Sequence, residues 1–130
     1  MKLSEAEIRN WVKIISDEYM HFDEAGIERA VSLGKLLEVD LLPEGAGGIG
    51  YHIYEDFDCK KRMGVVIFYC KPEQRGKYLV YMLHRIEEIA KQERVHKITI
   101  GSSISGYKEE KFGRMLKYFG FKDNGFIKEI

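Results

Sequence analysis

Val65-Val66-Ile67-Phe68-Tyr69-Cys70-Lys71-Pro72-Glu73-Gln74-Arg75-Gly76-Lys77-Tyr78-Leu79-Val80-Tyr81-Met82-Leu83 is the stretch that decides how this sequence folds. From Met63 to Cys70 the chain is almost continuously apolar, as a strand covered on both faces should be. Pro72 has no N–H to give to a ladder and ends the strand. From Gly76 onward Leu79, Met82, Leu83, Ile86, Ile89 and Ala90 recur on one face of a long helix. The start of such a helix offers backbone N–H groups and the positive end of its dipole, which suit a phosphate or diphosphate. Arg75 and Lys77 add cationic donors there, and Gly76 allows close backbone approach. An ordinary strand-to-helix connection would contain the same ingredients.

The flanking segments extend this unit in both directions. His96 to Ser102 reads as a short strand, and strand–helix–strand order implies a right-handed crossover and a parallel pair. Phe112, Met115, Leu116 and Phe119 mark a last helix, stopped by Gly120, and Asn124-Gly125 signals a terminal hairpin. Upstream, Ile49 to Glu55 alternates around Tyr51 and Ile53 as a half-buried strand. Pro43 to Gly48 has the composition of a turn. Lys35 to Leu42 reads as a strand, with a helical tail as the alternative. Asp23 caps a helix carrying Ile27, Ala30 and Val31, for which Gly34 is the stop. Ser4 and Glu7 form a capping box ahead of Ile8, Trp11, Val12 and Ile15, which places the first helix over about residues 4–19. The expected fold is α/β, or α+β: a mixed sheet, antiparallel first and parallel in the middle, flanked by helices in a single domain over residues 1–130.

The Val65–Leu83 run resembles the cofactor motif of the GNAT superfamily of N-acetyltransferases. That motif is an apolar strand, then Pro-Glu-x-Arg-Gly-x-Gly-x-Gly/Ala, then a helix. Lys111-Phe112-Gly113-Arg114-Met115-Leu116-Lys117-Tyr118-Phe119-Gly120-Phe121, followed by Phe126-Ile127-Lys128, is similar to the helix, Gly-Phe step and hairpin of the family's second region. The resemblance covers about residues 30–130 and looks closest to small divergent members found in phage genomes. It implies a mostly antiparallel sheet with a central splayed parallel pair, and acetyl-CoA or another acyl-CoA lying between the strands at 63–70 and 97–102. Backbone groups of Phe68, Tyr69 and Cys70 would hold the pantetheine arm and polarise the thioester carbonyl. The N–H groups of Arg75, Gly76, Lys77, Tyr78, Leu79 and Val80 would cradle the diphosphate, and Lys108, Lys111 and Arg114 would either reach the ribose phosphate or merely solubilise the last helix. Direct transfer to an amine held beside the cofactor would follow, driven by positioning.

The sequence departs from the family at four places. Tyr78 and Val80 stand where the family usually has Gly and Gly/Ala, Leu116 where many members have the tyrosine that protonates the departing thiolate, and Glu109 where many have asparagine. Tyr107, near the end of the 97–102 strand, is then the candidate acid, with Tyr118 as a second choice; a buried aromatic is the bland reading of either. Glu55 is the candidate base, against the reading of Glu55, Asp56 and Asp58 as a solvated acidic turn. The expected function is N-acyl transfer from acyl-CoA to a primary amine. The alternative is a catalytically silent GNAT-like binding or virion-associated module.

Other classes find less support. With 21 basic and 21 acidic residues the chain has no electrostatic footprint for nucleic acid, which weighs against a DNA-binding regulator built on the first two helices. No run approaches a membrane span or a signal peptide, so a cytoplasmic location is expected, and a homodimer is left open. Cys59 and Cys70 lack metal-ligand spacing and read as two inert thiols, with a pair facing across a hairpin as the alternative. Gly45-Ala46-Gly47-Gly48-Ile49-Gly50 matches G-x-G-x-x-G in letters, but a strand follows it where a dinucleotide fingerprint needs a helix. It reads as a glycine-rich turn.

Overall fold

A computed structural model describes residues 1–101, 109–123 and 128–130. Its elements, in chain order, are helix α1 (Glu5–Ile15), a π turn (Ser16–Met20), helix α2 (Glu24–Gly34) and strands β1 (Glu38–Leu41), β2 (Gly47–Glu55) and β3 (Lys61–Cys70). Helix α3 (Arg75–Gln92), strand β4 (Lys97–Ile100) and helix α4 (Glu109–Tyr118) complete them. The strands lie in the order β1-β2-β3-β4, antiparallel except for the parallel β3–β4 pair that α3 connects.

Local sequence explains most boundaries. The capping box forms as expected: the Glu7 N–H donates to Ser4 Oγ at 3.2 Å and the Ser4 N–H to Glu7 Oε1 at 3.0 Å. The α-helix ends at Ile15, earlier than the sequence suggested, because the chain widens into the π turn and closes on His21 in the left-handed region, φ 50°. Asp23 caps α2 through the Gly26 N–H at 2.8 Å. The strand expected over Lys35–Leu42 is shorter: Lys35 caps α2 and the Leu37 N–H donates to the Gly34 carbonyl, so only Glu38–Leu41 pairs with β2.

The glycine segment needs a larger correction. Only Pro43–Gly45 turns, and Gly47 and Gly48 already belong to β2. Gly47 sits opposite Cys70 with φ +155°, where a Cβ would lie 2.1 Å from the Tyr69 carbonyl oxygen. Close approach of two backbones, more than turning, is what this glycine serves.

Helices cover the sheet on both faces. Ile49, Tyr51, Met63, Val65, Phe68 and Cys70 face α3 and α4, forming one core with Met82, Leu83, Ile86 and Phe112. Gly48, Gly50, Ile67 and Tyr69 face the α1–α2 layer. The two sets keep their faces because β3 carries a bulge: Gly50 pairs with Ile67 and Tyr51 with Val65, leaving Val66 as the extra residue. Arg85 of α3 clamps Asp40 of β1 bidentately, at 2.9 and 3.1 Å. The terminal hairpin expected at Asn124-Gly125 lies outside the described residues.

Candidate active site

The described pairing of β3 with β4 stops just before the bulge. Their pairing runs from Arg62–Lys97 to Val65–Ile100, and among the described residues no strand flanks Val66–Cys70 on that side. β3 thus ends as a stretch bound to β2 on one edge, leading through Lys71 into the short 3-10 turn Pro72–Gln74 and then α3. Phe112 of α4 packs its ring 5.2 Å from that of Phe68, so α4 borders the same stretch.

The start of α3 suits an anion only in part as the sequence suggested. Its N-cap, Gln74, makes no side-chain cap and its own first turn holds no acidic residue, although Glu73 stands in the turn before it. Gly76 and Lys77 are exposed, and a Cβ on Gly76 would meet nothing within 4 Å. The Arg75 N–H, however, donates to the Pro72 carbonyl and closes the preceding turn. Tyr78, which stands in place of a glycine, turns its ring into the core and is 7 % exposed. Leu79 is buried beside it, whereas Val80 lies outside on the helix.

Arg75 itself has another engagement. Its Nε donates to the Cys70 carbonyl at 2.9 Å and its guanidinium forms an ion pair with Glu18, in the π turn after α1. The second Glu18 oxygen accepts from the Tyr69 hydroxyl at 2.7 Å. Burial first, and then this bond, hold the Tyr69 phenol well above its ordinary pKa. Beside them the Tyr19 hydroxyl is buried without a hydrogen-bond partner among the described residues, and burial pushes its pKa up to about 12. The end of α1, the end of β3 and the start of α3 are therefore held by one carboxylate. Glu18→Gln should destabilise the protein by about 2 kcal/mol, since the part-buried Arg75 loses this ion pair and the Tyr69 hydroxyl its charged acceptor; urea unfolding measures this.

Sequence reasoning missed Glu18, although a signal was present. Ile8, Trp11, Ile15 and Glu18 recur at heptad spacing, and a carboxylate continuing an apolar stripe must find a cation or a donor.

The other expected residues are not all brought to this place. Glu55 pairs with Lys61 at the far end of the β2–β3 hairpin. At ~3.3 Å per residue it stands about 16 Å along the strand from Val66 and about 30 Å from Cys70. Asp56 and Asp58 beside it pair with Arg62 at 3.7 and 2.6 Å, so the acidic run braces the hairpin tip. Lys111 is exposed in the first turn of α4, and Tyr107 lies outside the described residues. Leu116 packs against the core. Cys70 is buried, which pushes its thiol pKa up, while Cys59 is exposed. A thiol reagent should therefore modify one cysteine in the native protein and the second only after unfolding, which absorbance titration would count.

A wider comparison places this arrangement. No protein-family model matches the sequence, and no curated protein matches it by sequence. Solved structures do match. An acetyltransferase of Trypanosoma brucei superposes with a TM-score of 0.69 at 14 % identity, over 98 % of this chain and 94 % of that one. A ribosomal-protein-alanine N-acetyltransferase of Brucella melitensis gives 0.71 at 12 %, over 98 % and 95 %. The Clostridium acetobutylicum structure described as a predicted acetyltransferase with acetyl-CoA gives 0.69 at 18 %, over 100 % and 93 %. The fold is that of the GNAT acetyltransferases. β3 and β4 form the parallel pair of this mixed sheet, and the Pro72–Val80 segment is the loop and helix start that follow the first of them.

Proposed function

We propose that this chain transfers an acyl group from an acyl-CoA thioester to a primary amine. The observation that carries the reading is the continuous run from Val66–Cys70, which has no strand beside it on the β4 side among the described residues, into a helix start without a side-chain cap bearing Gly76 and Lys77. The GNAT fold supports it, as does the acetyl-CoA that accompanies the Clostridium acetobutylicum protein.

In this reading the pantetheine arm lies along Phe68, Tyr69 and Cys70, using main-chain groups on the edge past the described β4 pairing. The diphosphate lies at the start of α3 against Gly76, Lys77 and the following N–H groups, with Lys111 on the ribose phosphate side. The thioester then falls near the Val66 bulge, where main-chain donors stabilise the oxyanion. The neutral amine attacks the carbonyl carbon after its ammonium has lost a proton to solvent. A C–N bond forms, the C–S bond breaks, the nitrogen gives its surplus proton to solvent, and the thiolate takes up a proton as CoA leaves. Tyr107 is the residue proposed to give that proton. Arg75 acts differently from the role the motif suggests: through Glu18 it fixes the loop's position, and phosphate charge is left to Lys77 and the main chain.

Isothermal titration with acetyl-CoA tests the reading. Saturable binding is expected, weakened at least tenfold by Lys77→Glu through the reversed charge at the helix start. Absence of binding at high micromolar cofactor would leave the fold alone. Binding without CoA release on a broad panel of amines would favour a non-catalytic binding module.

A further inference from the structure

Between the α1–α2 layer and the sheet lies a cavity of about 210 Å³. Its walls are aliphatic and aromatic side chains together with glycine backbone, and among the described residues no charged one lines it. The glycine motif that looked like a nucleotide fingerprint explains part of the space. Gly48 and Gly50 lie on the cavity side of β2, so that strand projects no side chain there. At Gly50 a Cβ would already sit 3.1 Å from Ile67 Cβ and 3.3 Å from Leu37 Cδ1.

The cavity reaches the edge of β3 that has no strand beside it among the described residues. Val66, Ile67 and Tyr69 line it, and they belong to the stretch of β3 past its pairing with β4. Val66, the bulge residue, is 40 % exposed. A group bonded to a thioester seated on that edge therefore has the cavity within reach. Among the described residues the only hydroxyl in the lining, that of Tyr69, is bonded to Glu18. An ammonium entering the cavity would lose water with nothing to replace it, whereas a hydrocarbon chain needs no partner.

The geometry points to a hydrocarbon subsite: the cavity receives the apolar tail of the acyl group, so the chain accepts acyl-CoA thioesters of about six carbons in preference to acetyl-CoA. The length follows from size, since an apolar cavity of about 150 Å³ already holds a benzene molecule. This inference rests on the acyl-CoA reading above and specifies its substrate class.

Trp11, the one tryptophan of the sequence, lines the cavity and reports on its occupancy. The experiment titrates the full chain with CoA, acetyl-CoA and hexanoyl-CoA, followed by calorimetry and by Trp11 fluorescence. Each buried methylene tightens binding roughly fourfold, so hexanoyl-CoA should bind at least tenfold more tightly than acetyl-CoA and alone shift the Trp11 emission. Ala30→Phe fills the cavity from α2 and should remove that advantage while leaving acetyl-CoA affinity within about twofold. Val12→Phe does the same from α1, should circular dichroism show Ala30→Phe to be unfolded. Equal binding of the two thioesters, or an advantage that survives both substitutions, overturns the inference and leaves the acyl-CoA reading standing. A Trp11 shift caused by hexylamine in the presence of acetyl-CoA would give the cavity to the acceptor and overturn it too. Failure of CoA and both thioesters to bind would remove both readings together.

Discussion

Gly47→Ala is expected to destabilise the protein by about 4 kcal/mol and to lower its thermal midpoint by roughly 15 °C. The new methyl would stand 2.1 Å from the Tyr69 carbonyl oxygen and 2.8 Å from Cys70 Cα, both main-chain atoms that cannot rotate away. Either β2 and β3 separate at this end, or the alanine leaves its φ of +155°, a region costly for any L side chain. The first outcome moves Cys70 and with it the entry to α3, so cofactor binding should fall along with stability. Gly45→Ala is the control. Gly45 also has a positive φ, +67°, but a Cβ there meets nothing within 4 Å, and the cost should be only about 1 kcal/mol. Thermal and urea unfolding of the two variants separate main-chain collision from backbone preference.

Phe68→Ala should cost about 4 kcal/mol, the usual loss for a large buried aromatic. Phe68 is 1 % exposed and its ring lies against that of Phe112, so truncation leaves a hole between β3 and α4 as well as removing transfer energy. Val66→Ala, two residues earlier on the half-exposed bulge, should cost less than about 1 kcal/mol. A urea series on both variants checks the contrast. A loss below about 2 kcal/mol for Phe68→Ala would mean that α4 collapses into the space, or that it contributes little to the core.

The central part of the fold was legible because several signals agreed there. The apolar run before Pro72, the proline itself and the helical spacing from Leu79 to Ala90 each carry the same message, and β3 and α3 appear as read. The Ser4–Glu7 box was legible for the same reason, since a local motif is satisfied by local atoms. Gly47 and Gly48 were misread because composition registers that a residue lacks a side chain and says nothing of which backbone approaches it. Lys35–Leu42 was read too long because leucine supports a helix end as readily as a strand, and the turn that separates them is made by main-chain bonds to Leu33 and Gly34.

The candidate site was less legible than the fold. The exposure of Gly76 and Lys77 at the α3 start agrees with their reading from sequence, but the orientation of Arg75 could not be read. That orientation depends on Glu18, 57 positions earlier, and a tertiary ion pair leaves no local spacing to detect. Glu55 was placed by its alternation with Tyr51 and Ile53, which gives the face of a strand but not how far along the sheet that face is used. The hairpin register supplies that information.

The bulge at Val66 has a consequence for how this chain can change length over evolution. Removing a residue from a central strand ordinarily throws every later side chain onto the opposite face. Val66 is the one extra residue in the ladder, so its loss would leave Ile67 opposite Gly50 and Phe68 still turned toward α3 and α4. A lineage could delete it and keep a sound core while straightening the strand just past its described pairing with β4. Inheritance of the scaffold and inheritance of the bend are therefore separable at a single codon.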